Sequence, residues 1–230
     1  MNLVLVHGSY HGAWCWERLT RELEHLGHRV TPVELPISEP ANGASEFADS
    51  IIDQADWSEP PIVVGHSVAG LIVPIVAARR PVRQLVFLCA MLPVPGLSAT
   101  AQRAAEPIDG QKPPTTAEWT DLGNDVWMVG PNTATELFYS DATPGDAAWA
   151  SGRLRPQSYR MMNEVTPLVR WPDIPSAYIL GRDDRALNPE WARTAVPTRL
   201  GIAPVEIDGG HSPFLTRPMD LARVLDGVFV

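Results

Sequence analysis

The chain has 230 residues, which fits one large domain or one domain with an insertion and is enough to bury a sizeable core. Apolar residues make up 45% and charged residues 20%, the balance of a globular chain and not of a disordered one. The formal net charge of −9 argues against nucleic acid as a partner, because phosphate binding depends on an excess of Lys and Arg.

Two cysteines, Cys15 and Cys89, form no spaced framework and suit a reduced, intracellular protein. The stretch MNLVLVHG has no basic region and no cleavage site, so it does not read as a signal peptide. The apolar run LIVPIVAA is too short to span a bilayer. A cytoplasmic protein without a membrane partner is the expectation.

In chain order, NLVLVH (2–7) reads as a buried strand closed by Gly8. WERLTRELEHLGH (16–28) spaces Trp16, Leu19, Leu23 and Leu26 by three and four, the mark of an amphipathic helix. Glu17 and Arg21 pair along its other face, and Gly27 suits the position just past its end. HRVTPVEL (28–35), PIVVGH (61–66) and RQLVFLCA (83–90) read as further strands, with a helix over SVAGLIVPIVAARR. Pro74 inside that helix offers no N–H to the Gly70 carbonyl, so a kink or a short separate first segment is expected. Continuously apolar strands alternating with helices imply a mostly parallel, doubly wound sheet.

Residues 91–172 break this rhythm. LPVPG, KPPTT and DATPGD are turn signals, and DAAWASGRL and QSYRMMNEV suit short helices. Trp119, Trp127, Phe138, Trp149 and Trp171 need something to pack against, so the stretch reads as an inserted, mainly helical cap. The core would then comprise 1–90 and 173–230. It resumes with a strand at PSAYILG (175–181), a helix opened by Pro189, a strand at APVEIDG (203–209) and a last helix opened by Pro218.

The stretch VVGHSVAG (63–70) almost spells G-x-S-x-G, the sharp strand-to-helix turn that presents a nucleophilic serine. Its last position is Ala69, and the glycine follows at Gly70. Ser67 could equally be a serine cap at a strand-to-helix junction. A serine needs a base, and the base needs a carboxylate. His211 lies in the glycine-rich loop IDGGHSPF, and Asp183 and Asp184 compete in GRDDR. The order Ser, Asp, His is that of this sheet topology. His7 and His11 are four apart but on a strand end, so no metal site is expected, and no phosphate loop or other cofactor motif follows a strand.

With VHGSYHGAWCW, GHSVAG, GRDD and GGH in hand, the chain resembles the α/β-hydrolases. More narrowly, it is similar to the plant methyl-ester esterases and hydroxynitrile lyases and their bacterial esterase relatives. LVHGSYHGAWCWERL followed by GHRVTPVEL carries most of the likeness, which covers roughly the first 95 and last 55 residues. The resemblance implies Ser67 as nucleophile, His211 as base and then acid, and Asp184 as its carboxylate. It implies an oxyanion hole from the N–H groups of Ser9 and Val68, with His7 and Gly8 shaping that loop and His11 and Trp14 bracing it. The lyases of this branch carry a lysine directly after the last histidine and a threonine after the first, where this chain has Ser212 and Gly8. Both departures point to ester hydrolysis.

The expectation is therefore a carboxylesterase-like enzyme acting on a small molecule, with no cofactor, and with Trp127 and Phe138 as candidate pocket walls. A biosynthetic lactonase, cyclase or lyase with the same machinery, or a small-molecule receptor with slow turnover, is the alternative. The sequence leaves a homodimer open.

Overall fold

The structure, a computed structural model, describes residues 1–110 and 118–230; the turn signal KPPTT lies outside the described residues. The first strand, β1 (Asn2–Val6), leads through a short 3-10 turn at Ala13–Trp16 into α1 (Glu17–His25). Leu19 and Leu23 are buried as the spacing predicts, but Leu26 is 46% exposed. The helix stops one residue before it, and Gly27 at φ 85 turns the chain away. Glu17 and Arg21 form the expected pair at 2.5 Å.

After β2 (Arg29–Val33) comes α2 (Ala44–Gln54), a helix to which the sequence pattern assigned no element. Its Glu46 accepts the Gly43 N–H at 2.8 Å, the reciprocal half of a capping box. Phe47, Ala48 and Ile51 bury its inner face. β3 (Ile62–His66) then runs into a 3-10 turn at Ser67–Leu71, and α3 (Val73–Arg79) starts only afterwards. Pro74 thus stands in the first turn of α3, where a missing N–H costs nothing, so the interruption expected at the proline is present. β4 (Gln84–Leu88) follows.

Between β4 and the next core strand lie α4 (Ala99–Ala105), β5 (Trp119–Asp121), β6 (Val126–Val129), α5 (Pro131–Phe138), α6 (Pro144–Ser151), β7 (Gln157–Ser158) and α7 (Arg160–Asn163). The three strands form a small antiparallel sheet in the order β5-β6-β7, which the sequence reading did not contain. The chain closes with β8 (Ser176–Gly181), α8 (Pro189–Leu200), β9 (Val205–Ile207), the single turn α9 (Pro213–Thr216) and α10 (Pro218–Val228).

The main sheet has six strands in the order β2-β1-β3-β4-β8-β9, every pair parallel. Alternate side chains point to opposite faces. Val4, Val6, Val63 and Phe87 pack under α2, α3 and α8, while Leu3, Leu5, Val64 and Val86 pack under α1 and α10. Helices on both faces make β1, β3 and β4 fully buried, as their unbroken apolar runs require. No helix among the described residues is long and apolar enough to cross a membrane.

Candidate active site

Three loops at the C-terminal ends of β3, β8 and β9 bring Ser67, Asp184 and His211 together. Ser67 is the first residue after β3 and has φ 57, a left-handed conformation that non-glycine residues rarely adopt. The strained turn holds its Oγ 3.0 Å from His211 Nε2. His211 Nδ1–H donates to Asp184 Oδ2 at 2.7 Å, so Nε2 is the acceptor nitrogen and faces the hydroxyl. Asp184 Oδ1 accepts the N–H groups of Ala186 and Leu187 at 2.8 and 2.9 Å, which fixes the carboxylate. Asp183, the competing acid, is exposed on the same turn. Such a chain can move the serine proton onto the imidazole while the carboxylate stabilises the imidazolium.

The neighbours of Ser67 explain the spelling of its motif. Ala69 is fully buried, and a Cβ on Gly65 would lie 2.9 Å from Val73 Cγ1. The tightest spot is Gly70, where a Cβ would lie 2.0 Å from the Met91 carbonyl oxygen. The displaced glycine therefore lets the segment leaving β4 cross the turn, a role that sequence reasoning missed.

The loop after β1 faces Ser67. A Cβ on Gly8 would come 2.8 Å from Ser67 Cβ, so only glycine permits this approach. Leu35 N–H donates to His7 Nε2 at 3.1 Å, which puts the His7 proton on Nδ1, donated to the Gly8 carbonyl at 2.9 Å. That carbonyl belongs to the peptide whose N–H is that of Ser9. His11 repeats the device: Nδ1–H donates to the Ser9 carbonyl at 2.7 Å, and Nε2 accepts the Tyr139 O–H at 2.9 Å. Arg155 Nη2 binds the His11 and Leu35 carbonyls at 2.9 and 3.2 Å. Neither Ser9 nor Val68 gives its N–H to a backbone acceptor among the described residues, and both line the cavity above Ser67.

Burial keeps these imidazoles neutral. Desolvation, the largest cause in each case, lowers the His7 pKa to about 3 and that of His11 to about 4, and holds His66 well below the usual histidine range. His66 donates through Nε2 to the His211 carbonyl at 2.9 Å, bracing that loop. Donor atoms of Cys89, Asp184 and His211 lie within 4.8 Å of one another, the geometry of a metal cluster. The donor chemistry does not fit one. His211 Nδ1 is committed to Asp184, and burial, with the Asp184 charge next, raises the Cys89 pKa well above normal, whereas a metal needs the thiolate.

The cavity over Ser67 measures about 440 Å³ and is largely apolar. Residues 91–172 supply much of its wall, including Met91, Trp119, Leu137 and Phe138. Phe138, one of the two candidate walls, is among the lining residues. Trp127 does not line the cavity: its ring sits behind Tyr159, centroids 6.4 Å apart, and Tyr159 takes the wall position. Tyr10 and Tyr159, two polar groups of the wall, were not singled out from sequence. They lie 149 positions apart and no local pattern joins them.

Comparison with known proteins agrees with this geometry. A family model described as the alpha/beta hydrolase family matches residues 3–224. Methyl jasmonate esterase 1 of Vitis vinifera is 26% identical, covering 99% of this chain and 96% of the relative. Methylesterase 1 of Arabidopsis thaliana is 27% identical, covering 96% and 93%. A crystal structure of polyneuridine aldehyde esterase superposes with a TM-score of 0.82 at 22% identity, over 99% of this chain and 98% of that one. The doubly wound sheet is that of the α/β-hydrolases, and the relatives named here are plant esterases.

Proposed function

The chain belongs to the alpha/beta hydrolase family, and on that premise we propose that it is a serine hydrolase cleaving a carboxylic ester of a small, largely apolar molecule through an acyl-enzyme. The observation that carries the reading is Ser67 at φ 57 with its Oγ 3.0 Å from the acceptor nitrogen of a carboxylate-bound histidine. Ser67 Oγ attacks the ester carbonyl as its proton passes to His211 Nε2. The tetrahedral oxyanion accepts the N–H groups of Ser9 and Val68, each worth about 3–4 kcal/mol when aligned. His211 then protonates the departing alcohol. Water, deprotonated by the same nitrogen, releases the acid and restores Ser67.

The neutral state of His7 and the fixed peptide planes of Gly8 and Ser9 support a donor set in place before substrate arrives. The cavity wall from residues 91–172 supports their role as a cap that excludes water. The names of the two plant relatives, a methyl jasmonate esterase and a methylesterase, favour a methyl ester. Ser212 after His211 leaves no lysine at the position the lyase branch uses, in keeping with hydrolysis.

The test is labelling by a fluorophosphonate, followed by peptide mapping. A single adduct on Ser67, lost in Ser67→Ala together with turnover of methyl and p-nitrophenyl esters, is the expected result. Absence of any adduct on the folded protein, or ester turnover by Ser67→Ala at the wild-type rate, would refute the proposal.

A further inference from the structure

The cavity holds a pair of phenols for which the reaction has no use. Tyr10 and Tyr159 both line it, and their hydroxyl oxygens lie 3.0 Å apart. Two hydroxyls carry two protons, and their mutual bond uses one. The other O–H finds no acceptor among the described residues and is available to the cavity. Tyr10 reaches this place through strain: its φ is 63, rare for a bulky residue. The Arg155 N–H holds its carbonyl at 2.7 Å. Strain of this kind gathers where a side chain must be aimed.

The pair has a defined position relative to the reacting atoms. Tyr10 directly follows Ser9, and the Phe138 ring touches both Tyr10 and His211, with centroids 6.3 and 5.9 Å away. Apolar and aromatic side chains make up most of the remaining wall, and the free O–H is a neutral donor among them. The cation of the wall, Arg103, is already matched by Asp109, which accepts from its Nε at 2.9 Å and pairs with its Nη2 at 2.7 Å. Burial also pushes the Tyr10 phenol up, so that it stays protonated. Among the described residues, the wall thus offers a neutral donor and no spare positive charge to an anion.

We infer that the Tyr10–Tyr159 hydroxyl pair is a subsite for a second, neutral carbonyl oxygen, so that preferred substrates are esters carrying an oxo group away from the scissile bond. This rests on the esterase reading above and narrows its substrate class. A substrate without that oxygen leaves a desolvated O–H unpaired, which is the source of the discrimination.

The experiment compares methyl 4-oxopentanoate and methyl 5-oxohexanoate with methyl pentanoate and methyl hexanoate on the same protein. For at least one pair, wild type should favour the oxo ester by about tenfold in kcat/KM, the factor one neutral hydrogen bond supplies. In Tyr159→Phe and Tyr10→Phe the ratio should fall toward one. The ratio is internal to each variant, so a general loss of active protein does not mimic it. Calorimetric titration of Ser67→Ala with the same ester pairs reads the preference without turnover, so failure of the ester chemistry and failure of the subsite are separate results. Equal kcat/KM and equal binding for all pairs, or a preference unchanged in both Phe variants, would overturn the inference. A hydroxyl pair that merely clasps loop to cap predicts those outcomes.

Discussion

Replacing Gly70 by alanine tests why the serine motif is spelled with its glycine one position late. The new Cβ would meet the Met91 carbonyl oxygen at 2.0 Å, the Met91 carbonyl carbon at 3.1 Å and Ala90 Cβ at 3.0 Å. Ordinary contact lies near 3.5 Å, so the segment must retreat by more than about 1 Å. It is poorly placed to do so. Met91 N–H donates to the Ser67 carbonyl at 3.0 Å, and the buried Tyr178 hydroxyl both donates to the Ala90 carbonyl at 2.7 Å and accepts its N–H at 3.1 Å. Overpacking at a rigid contact costs about 1–3 kcal/mol, and loss of the Met91–Ser67 bond about 1 more, giving about 2–4 kcal/mol. For a chain of this size that lowers Tm by roughly 4–16 °C. Ala69→Gly, which restores the G-x-S-x-G spelling, removes one buried methyl and loosens the backbone, at about 1 kcal/mol. Thermal melts followed by circular dichroism should therefore rank wild type above Ala69→Gly above Gly70→Ala. A Gly70→Ala melt within about 2 °C of wild type, or the reverse order of the two variants, would show the reasoning wrong.

Asp184→Asn should lower kcat by about 10⁴ with little change in KM. The Asn oxygen can keep the Ala186 and Leu187 N–H groups, which turns its NH₂ toward His211 Nδ1 and forces the ring proton onto Nε2, where Ser67 needs an acceptor. Asp183→Asn, on the exposed neighbour, should leave steady-state rates within a factor of two of wild type, and a comparable loss in both variants would contradict the assignment. Acid should destabilise the protein through its buried histidines. The folded-state values for His7 and His11 are lowered to about 3 and about 4, and His66 also lies well below normal, so between about pH 6.5 and pH 4 the unfolded chain binds protons that the folded one refuses. Stability therefore rises with pH across that window, by about 4 kcal/mol per pH unit near pH 5 if all three take part. Tm measured from pH 7 to 4.5 should fall steeply below 6, and a flat profile would mean these rings are protonated in the native state.

The centre of the sheet was readable because β1, β3 and β4 are buried on both faces and show as unbroken apolar runs. The helix α2 was not, since Phe47, Ala48 and Ile51 lie among small and polar residues. Topology could have demanded it: β2 and β3 lie on either side of β1 in a parallel sheet, so the chain between them must cross over. The strands β5, β6 and β7 have three, four and two residues, too few for a period of two to register. For the site, the loops with Ser67, Asp184 and His211 each follow an apolar strand, which makes them visible one at a time. What stayed hidden depends on distant partners. Asp184 and Asp183 differ only in which one the fold buries against His211. Tyr159 displaces Trp127 from the cavity wall because the chain around β6 and β7 turns one aromatic toward the cavity and the other behind it. Gly70 matters through Met91, on a different element altogether.

The bond from Tyr139 to His11 bears on how freely the insertion can be exchanged. Tyr139 closes α5, and its hydroxyl supplies the hydrogen bond that leaves His11 Nδ1–H for the Ser9 carbonyl. Further stitches join the two parts: Arg155 N–H to the Tyr10 carbonyl, Ser158 N–H to the Ile37 carbonyl, and the Ser38 hydroxyl to the Pro156 carbonyl. A chimera whose grafted 91–172 segment lacks a tyrosine at this place leaves His11 Nε2 without its donor and the loop without its partner. Recombination between relatives would have to carry the first dozen residues and the insertion as a linked pair, and a library that shuffles them independently would be poor in active members for reasons unrelated to the substrate pocket.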